Sequence, residues 1–499
     1  MKFLTDFMAR RAHITPDAPA FHTVETGQIL TYAQLDQRIG QATHLLKAKG
    51  LAPGDRLAIL CRNRVEFFEL LFACARIGAI LVPLNWRMPA TELAGLLEDC
   101  SPTLLAYGRE DADTASACLN TDIRGLDLEQ AYPAARDASP VDPGRLSWPA
   151  DECWYLIYTS GTTGRPKGVI QTYGMAVINA INIGQAIGLR VGDSTLNFLP
   201  LFHTAGINLH TLPVLFNGGL VHVLPGFDAD ALLGLVNTGQ LDVFIGVPAV
   251  YRELSLHPRF PATDLTRVRN WACGGAPLPD NLVRTFADHG ARVCNGFGMT
   301  ETGPTAFLSD PDHVLTKIGS VGKAQVMINV RIAGPDDREL PQGDTGEIQF
   351  QGPGLTPGYW HRPDETEKLY TADGWLKSGD LGRMDEDGYC FVAGRIKEMY
   401  ISGGENVYPA EVENILEAHP GIREAAVIGV PDEKWGEVGC ACLILMDGVA
   451  LDETEIRTWC RDHLAAFKVP RYVLFLDDFP RTAAGKVQKH LLPRPELVS

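Results

Sequence analysis

The feature that most constrains this 499-residue chain is the order in which short apolar runs and helical apolar patterns succeed one another. Between Thr31 and Pro83, a helical pattern carried by Leu35, Ile39, Leu45 and Leu46 leads to a turn at Pro53-Gly54-Asp55. The run 57–60, a second helical segment and the run 79–83 follow. Strands separated by helices are joined by crossovers, so this alternation predicts a parallel α/β sheet. Runs at 195–199, 220–224 and 243–247 repeat the pattern, and one large α/β body is expected.

After about residue 320, Gly, Pro and Asp punctuate short segments such as 329–332 and 347–351, the mark of antiparallel strands and turns. This predicts a smaller β-rich subdomain within the body. From 398 onward the pattern reads helix 409–418, strand 424–429, strand 440–445, helix 453–466 and strand 472–476, a small α+β unit. The expected organisation is a body over 1–394, a hinge at 395–397 and a carboxyl-terminal unit over 398–499. The Ala/Asp-rich stretch 108–145 reads as a variable surface segment.

The balance of 44 basic against 61 acidic residues gives a net charge of −17, which argues against nucleic acid or an anionic membrane as a partner. The apolar stretch 67–84 contains Glu69 and Arg76 and ends in Pro83, so it reads as a core helix entering a strand rather than a membrane span. The first residues, broken by Asp6, Arg10 and Arg11, read as an amphipathic helix and not a signal peptide. Eleven cysteines without a CxxC pair suggest free buried thiols and a cytoplasmic protein. A homodimer stays open.

One segment carries chemistry: Tyr158-Thr159-Ser160-Gly161-Thr162-Thr163-Gly164-Arg165-Pro166-Lys167-Gly168 follows an apolar run and packs three glycines and four serine or threonine hydroxyls into eleven positions. Backbone amides freed by glycine, with hydroxyl donors, can wrap a polyphosphate closely. The Gly-Lys-Ser/Thr ending of a P-loop is absent, because Lys167 is followed by Gly168.

This segment resembles the signature loop of the adenylate-forming superfamily, which includes acyl-CoA synthetases, peptide-synthetase adenylation domains and beetle luciferases. Five further matches follow in that family's order: Gly274-Gly275-Ala276-Pro277, Asn295-Gly296-Phe297-Gly298-Met299-Thr300-Glu301, Ser378-Gly379-Asp380, Gly394-Arg395-Ile396-Lys397, and the stretch from Pro480 to Lys486. The resemblance runs from about Thr31 to Leu491. It implies a large amino-terminal domain with a mobile carboxyl-terminal lid and a site between them.

The resemblance also implies roles that suit each residue type. Adenylation brings a carboxylate against the α-phosphate of ATP, so cationic stabilisation is the central need, and Lys486 would supply it. Glu301 and Thr300 would hold Mg²⁺ against the phosphates, with Thr162 as a further metal partner, while Thr159, Ser160, Gly161, Thr163, Gly164 and Lys167 would grip the phosphates. Asp380 would accept from the ribose hydroxyls, assisted by Arg395. Gly274, Gly275, Ala276, Pro277 and Phe297, with Asn295, Gly296, Gly298 and Met299 around them, would enclose the adenine. Lys397 occupies the hinge, and its rotation would withdraw Lys486 and bring Ser402, Gly403 and Gly404 toward the pantetheine of coenzyme A. His203 would gate the passage between acyl pocket and thiol tunnel, with Thr204, Ala205, Gly206, Ile207 and Asn208 lining the pocket.

The expected reaction is that of an acyl-CoA synthetase: ATP, a carboxylic acid and coenzyme A give acyl-CoA, AMP and diphosphate through an acyl-adenylate, with Mg²⁺ as cofactor. The motif set also resembles plant hydroxycinnamate ligases, which tend to carry tyrosine at Ala205. Medium- or long-chain fatty acids and aryl acids such as ferulate both remain open. An adenylating enzyme that delivers to a carrier protein is the alternative, which the lack of a following carrier domain and of an Asp in the run 197–202 disfavours. A non-catalytic nucleotide-binding scaffold would require loss of Lys486, Glu301 or Asp380, and all three are present.

Overall fold

A computed structural model describes residues 2–120, 122–159, 166–481 and 487–495. The most buried helix, Val65–Ile77, shows how the sequence selects its elements. Every residue of it except Glu66 is buried, including Glu69 and Arg76. A helix apolar all round belongs in a core. Its two charges are tolerable there because they are paired: Glu69 receives Arg136, Arg38 and the Tyr132 hydroxyl, and Arg76 reaches Asp6 and Asp36. Gly78, at φ 90°, ends the helix in the left-handed conformation and turns it into the strand Ile80–Pro83.

That strand lies inside a six-stranded sheet ordered Lys167–Thr172, Cys153–Thr159, Ile80–Pro83, Arg56–Leu60, Leu104–Tyr107 and Arg124–Asp127. Its pairings are parallel except for the antiparallel pair that carries the signature loop. A second sheet runs Ser194–Asn197, Leu220–Val223, Pro19–Thr23 and Gln28–Thr31. A third begins with three parallel strands, Val243–Gly246, Asn270–Cys273 and Val293–Phe297, and continues antiparallel through Phe307–Leu308 and Lys323–Ala324. The expected α/β alternation is thus distributed over three sheets joined by one apolar core.

The β-rich expectation after residue 320 corresponds to an antiparallel sheet of Asn329–Ala333, Gly346–Gln351, Leu376–Met384 and Cys390–Arg395. Beyond it, Tyr400–Ser402, Glu405–Val407, Ile422–Asp432, Gly436–Leu445 and Tyr472–Phe475 form a further sheet with its own core beneath the helices Pro409–Glu417 and Glu453–His463.

The stretch 108–145 departs from its reading as a variable surface segment. It contributes the strand Arg124–Asp127 to the edge of the six-stranded sheet, and its helix Ala131–Asp137 buries Tyr132 and Arg136. The cause is Glu69, whose buried carboxylate takes both side chains as partners. Among the described residues no helix is long and apolar enough to cross a membrane.

Candidate active site

The site residues gather where the strands of the third sheet end. Asn270–Cys273 and Val293–Phe297 are parallel, with Cys273 opposite Asn295, so the segments Gly274–Pro277 and Gly296–Glu301 leave the sheet side by side at its carboxyl edge. In open α/β sheets this edge is where ligands bind. Glycine is needed at two points here. Gly275 takes φ 83°, and a Cβ on Gly298 would fall 1.6 Å from the Pro304 carbonyl oxygen. Gly275, Ala276 and Pro277 are exposed, which leaves an open backbone surface for a planar ring. Phe297 is half-buried and packs on Phe350, ring centres 6.4 Å apart. Asn295 donates to the Ser320 carbonyl at 3.4 Å, and its amide oxygen is buried with no partner among the described residues.

Thr300 and Glu301 lie on one turn of 3₁₀ helix, Thr300–Thr302, below Met299. Gln171, on the strand leaving the signature loop, donates to the Thr300 carbonyl at 2.9 Å. The Glu301 side chain is buried, which raises its pKa; the hydrogen bond from Tyr359, and the charges of Arg395 and Lys167, act in the opposite sense. The Tyr359 hydroxyl donates to Glu301 Oε1 at 2.8 Å. Lys167 pairs with Glu365 and stands 5.2 Å from the Tyr359 ring centre. Ser160, Gly161, Thr162, Thr163, Gly164 and Lys486 lie outside the described residues. Thr159 closes the base of the signature loop opposite Lys167 in the antiparallel register.

Asp380 follows the tight turn at Gly379, φ 71°, in the strand Leu376–Met384. Its carboxylate is nearly buried, and Arg395 Nε approaches Oδ1 at 2.8 Å from the neighbouring strand, where the two residues are paired in register. Lys397 sits on the exposed turn just beyond. Ser402 is buried at the end of its strand, and Gly403 and Gly404 turn the chain at φ 61° and 90°. A Cβ on Gly403 would lie 2.8 Å from the Trp435 ring.

His203 lies on a loop after Ser194–Asn197, against Phe202 with ring centres 4.7 Å apart. Trp86 packs on Phe202, and Arg62 and Arg87 stack on Trp86. Burial first, and the Arg87 charge second, lower the His203 pKa to about 4, so the ring is neutral at pH 7. The following residues Ala205–Leu209 form a turn of π helix, a geometry frequent at functional sites. Asn208 on that turn donates to the Gly303 carbonyl at 2.9 Å, joining the segment after His203 to the Glu301 turn. Gln171, Tyr359, Glu365 and the Arg62–Trp86–Arg87 stack were not singled out in the sequence. Each acts through a partner distant in the chain, and no local spacing signals such a contact.

The family described as AMP-binding enzyme matches residues 8–360, and its C-terminal domain matches residues 411–486. A feruloyl-CoA synthase from Amycolatopsis sp is 40% identical over 97% of both chains. A long-chain-fatty-acid–CoA ligase from Mycobacterium tuberculosis is 34% identical over 99% of this chain and 98% of that one. The crystal structure of ATP-bound MatB from Rhodopseudomonas palustris superposes with a TM-score of 0.89 at 32% identity, covering 98% of each chain. With the converging carboxyl-edge turns, the loop-flanking Lys167 and the Asp380–Arg395 pair already in place, these matches show that the chain belongs to the AMP-binding, adenylate-forming enzyme family and is an AMP-forming acid–thiol ligase.

Proposed function

We propose that the enzyme activates an aryl carboxylic acid of the hydroxycinnamate class, such as ferulate, with ATP and passes the acyl group to coenzyme A. The observation that carries the reaction is the convergence of Glu301, Lys167 and Arg395, a buried carboxylate within the field of two cations, at the carboxyl edge of the third sheet. The acid class is supported by the 40% identical feruloyl-CoA synthase.

In the first half-reaction the acid's carboxylate attacks the α-phosphorus and pyrophosphate leaves. Lys486 is the proposed cation that lets the two anions meet, and Lys167 with the signature loop holds the leaving phosphates. Asp380, held by Arg395, accepts the ribose hydroxyls, and the open backbone of Gly274–Pro277 faces the adenine with Phe297. Among the described residues no three metal-ligating side chains form a cage. Mg²⁺ needs none, since it is typically bound by one or two carboxylates together with substrate phosphates. The buried Glu301 carboxylate fits that need, with Thr162 as the second protein partner, and the ion would neutralise phosphate charge.

In the second half-reaction the thiolate of coenzyme A attacks the acyl carbon and AMP departs. A turn of the lid 398–499 about the hinge 395–397 would exchange Lys486 for the Ser402–Gly404 segment, whose two left-handed glycines leave space for pantetheine. Neutral His203 borders this passage without adding charge to it. All these residues come from one chain, so the reading requires no second copy. Free, buried cysteines support a cytoplasmic setting.

The test is pyrophosphate release by the purified protein with Mg-ATP, coenzyme A and a panel from acetate through fatty acids to ferulate, beside Lys486→Ala. Turnover selective for ferulate and dependent on coenzyme A, lost in the variant, is expected. Higher kcat/KM for a long-chain fatty acid would overturn the acid class, and pyrophosphate exchange without thioester would overturn coenzyme A as acceptor.

A further inference from the structure

The segment from Thr356 to Trp360 behaves as a strap between the two parts of the phosphate site. On one side it is sewn to the strand that leaves the signature loop. Ile170 N donates to the Gly358 carbonyl at 3.1 Å, Trp360 N to the Gly168 carbonyl at 2.7 Å, and the Thr356 hydroxyl to the Ile170 carbonyl at 2.7 Å. Val169 and Tyr359 form an isolated antiparallel bridge. On the other side it grips the Glu301 turn: Thr356 N donates to the Glu301 carbonyl at 2.9 Å, and the Tyr359 hydroxyl donates to Glu301 Oε1 at 2.8 Å. Its own shape is fixed by Thr366, whose hydroxyl accepts from Tyr359 N at 3.0 Å. Gly358 takes φ 141° there, and a Cβ on it would fall 2.3 Å from the Thr366 methyl. Helix Pro363–Leu369, which carries Thr366, also carries Glu365, the partner of Lys167.

The geometry points to Tyr359 as the positioning residue that fixes the Glu301 carboxylate for the metal it would hold, and links that carboxylate through Lys167 to the strand that leaves the signature loop. The inference rests on the proposed role of Glu301 as the metal carboxylate. A buried carboxylate on a short turn has several rotamers, and a metal ligand must hold one. The hydroxyl of Tyr359 would select it by tying Oε1, and Oε2 would then be the oxygen offered to the ion. Lys167 over the same ring links the phosphate loop to that choice. Outer partners that orient a ligand commonly change metal affinity by 10–100-fold when removed.

The experiment is calorimetric binding of ATP to the full chain, in Mg²⁺ and again in EDTA, for wild type, Tyr359→Phe, Glu301→Gln and the double variant. Phenylalanine keeps the ring, its packing and the contact with Lys167, and removes the hydroxyl alone. The quantity read is the ratio of the two affinities on one preparation, which cancels a general loss of folding. In Tyr359→Phe this Mg²⁺-dependent gain is expected to fall about tenfold. In Glu301→Gln it is expected to vanish, with no further change in the double variant. A gain unchanged in Tyr359→Phe while Glu301→Gln abolishes it overturns the inference alone. A gain unchanged in Glu301→Gln overturns the metal role of that carboxylate as well. A thermal midpoint lowered in Tyr359→Phe with the ratio intact would mark the hydroxyl as merely structural, and overturns the inference too.

Discussion

Arg395 Nε lies 2.8 Å from Asp380 Oδ1, and the two residues face each other across adjacent strands just before the turn that leads into the last sheet. The carboxylate is 6% exposed and the guanidinium 43%, so the acid is fixed inside while its partner reaches the surface. Any ribose bound at Asp380 is therefore read by a side chain whose orientation depends on the chain leaving the body. Asp380→Ala is expected to raise the KM for ATP about tenfold or more, because hydrogen bonds to a charged acceptor are worth ~1.5–3 kcal/mol. Arg395→Ala should do so less, since its pair is half in water. Steady-state kinetics at fixed acid and coenzyme A decide; an unchanged KM for ATP in Asp380→Ala would show that Asp380 does not act on the nucleotide.

Gly298 has no room for a methyl group. Its Cβ would meet backbone, the Pro304 carbonyl, which cannot swing aside as a flexible side chain can. Gly298→Ala should lose on the order of 3 kcal/mol of stability and displace the Glu301 turn. Urea unfolding and pyrophosphate exchange on the same sample test this. A stable variant with full exchange would show that the turn tolerates a shift.

His210 is buried with Nδ1 3.4 Å from the Thr195 hydroxyl, and burial lowers its pKa to about 3. Its proton affinity returns to the ordinary value near 6.5 on unfolding, so the unfolded state binds the extra proton below that pH. The group's contribution is complete above pH 6.5 and lost as the pH falls toward 3. Removing it in His210→Asn should flatten the fall of stability between pH 6 and pH 4 by about 1.4 kcal/mol per pH unit relative to wild type. Parallel denaturant titrations at pH 6, 5 and 4 measure the difference, and parallel slopes would show that His210 does not carry it.

Arg252, on the helix Pro248–Leu256 of the body, donates through Nη1 to the Arg423 carbonyl at 2.6 Å, across to the carboxyl-terminal unit. Beside it Glu417 is half-buried, and this desolvation pushes its pKa up to about 7 against the Arg252 charge. Arg252→Ala should loosen this contact, and cleavage by trypsin near Arg395 and Lys397 should quicken several-fold. Unchanged cleavage, followed on a gel, would show that the contact does not restrain the unit.

The parts of this structure legible in the sequence are those in which a residue's neighbours in the chain are also its neighbours in space. The helix Val65–Ile77, the turn at Gly78 and the strand Ile80–Pro83 follow from one continuous stretch, and so do the turn at Gly298 and the last unit's helix–strand order. The sequence-derived helix 453–466 ends three residues early, at His463, where the chain turns extended at Leu464. Strand order was not legible, because Pro19–Thr23 pairs with Leu220–Val223 two hundred residues on. In the site, Glu301, Asp380 and Lys167 stood out through motif context, whereas Tyr359 and Glu365 gain their meaning only from partners 58 and 198 residues away.

The eleven cysteines acquire a further sense beside this chemistry. Nine are buried and two are partly covered. Burial drives the thiols of Cys61, Cys74 and Cys273 far above their ordinary range and that of Cys100 up to about 12. Only a thiolate attacks an activated acyl carbon. In a catalyst that generates an acyl anhydride and releases a thioester, these four thiols are thus kept protonated and unreactive for the same reason that the core around them is well packed.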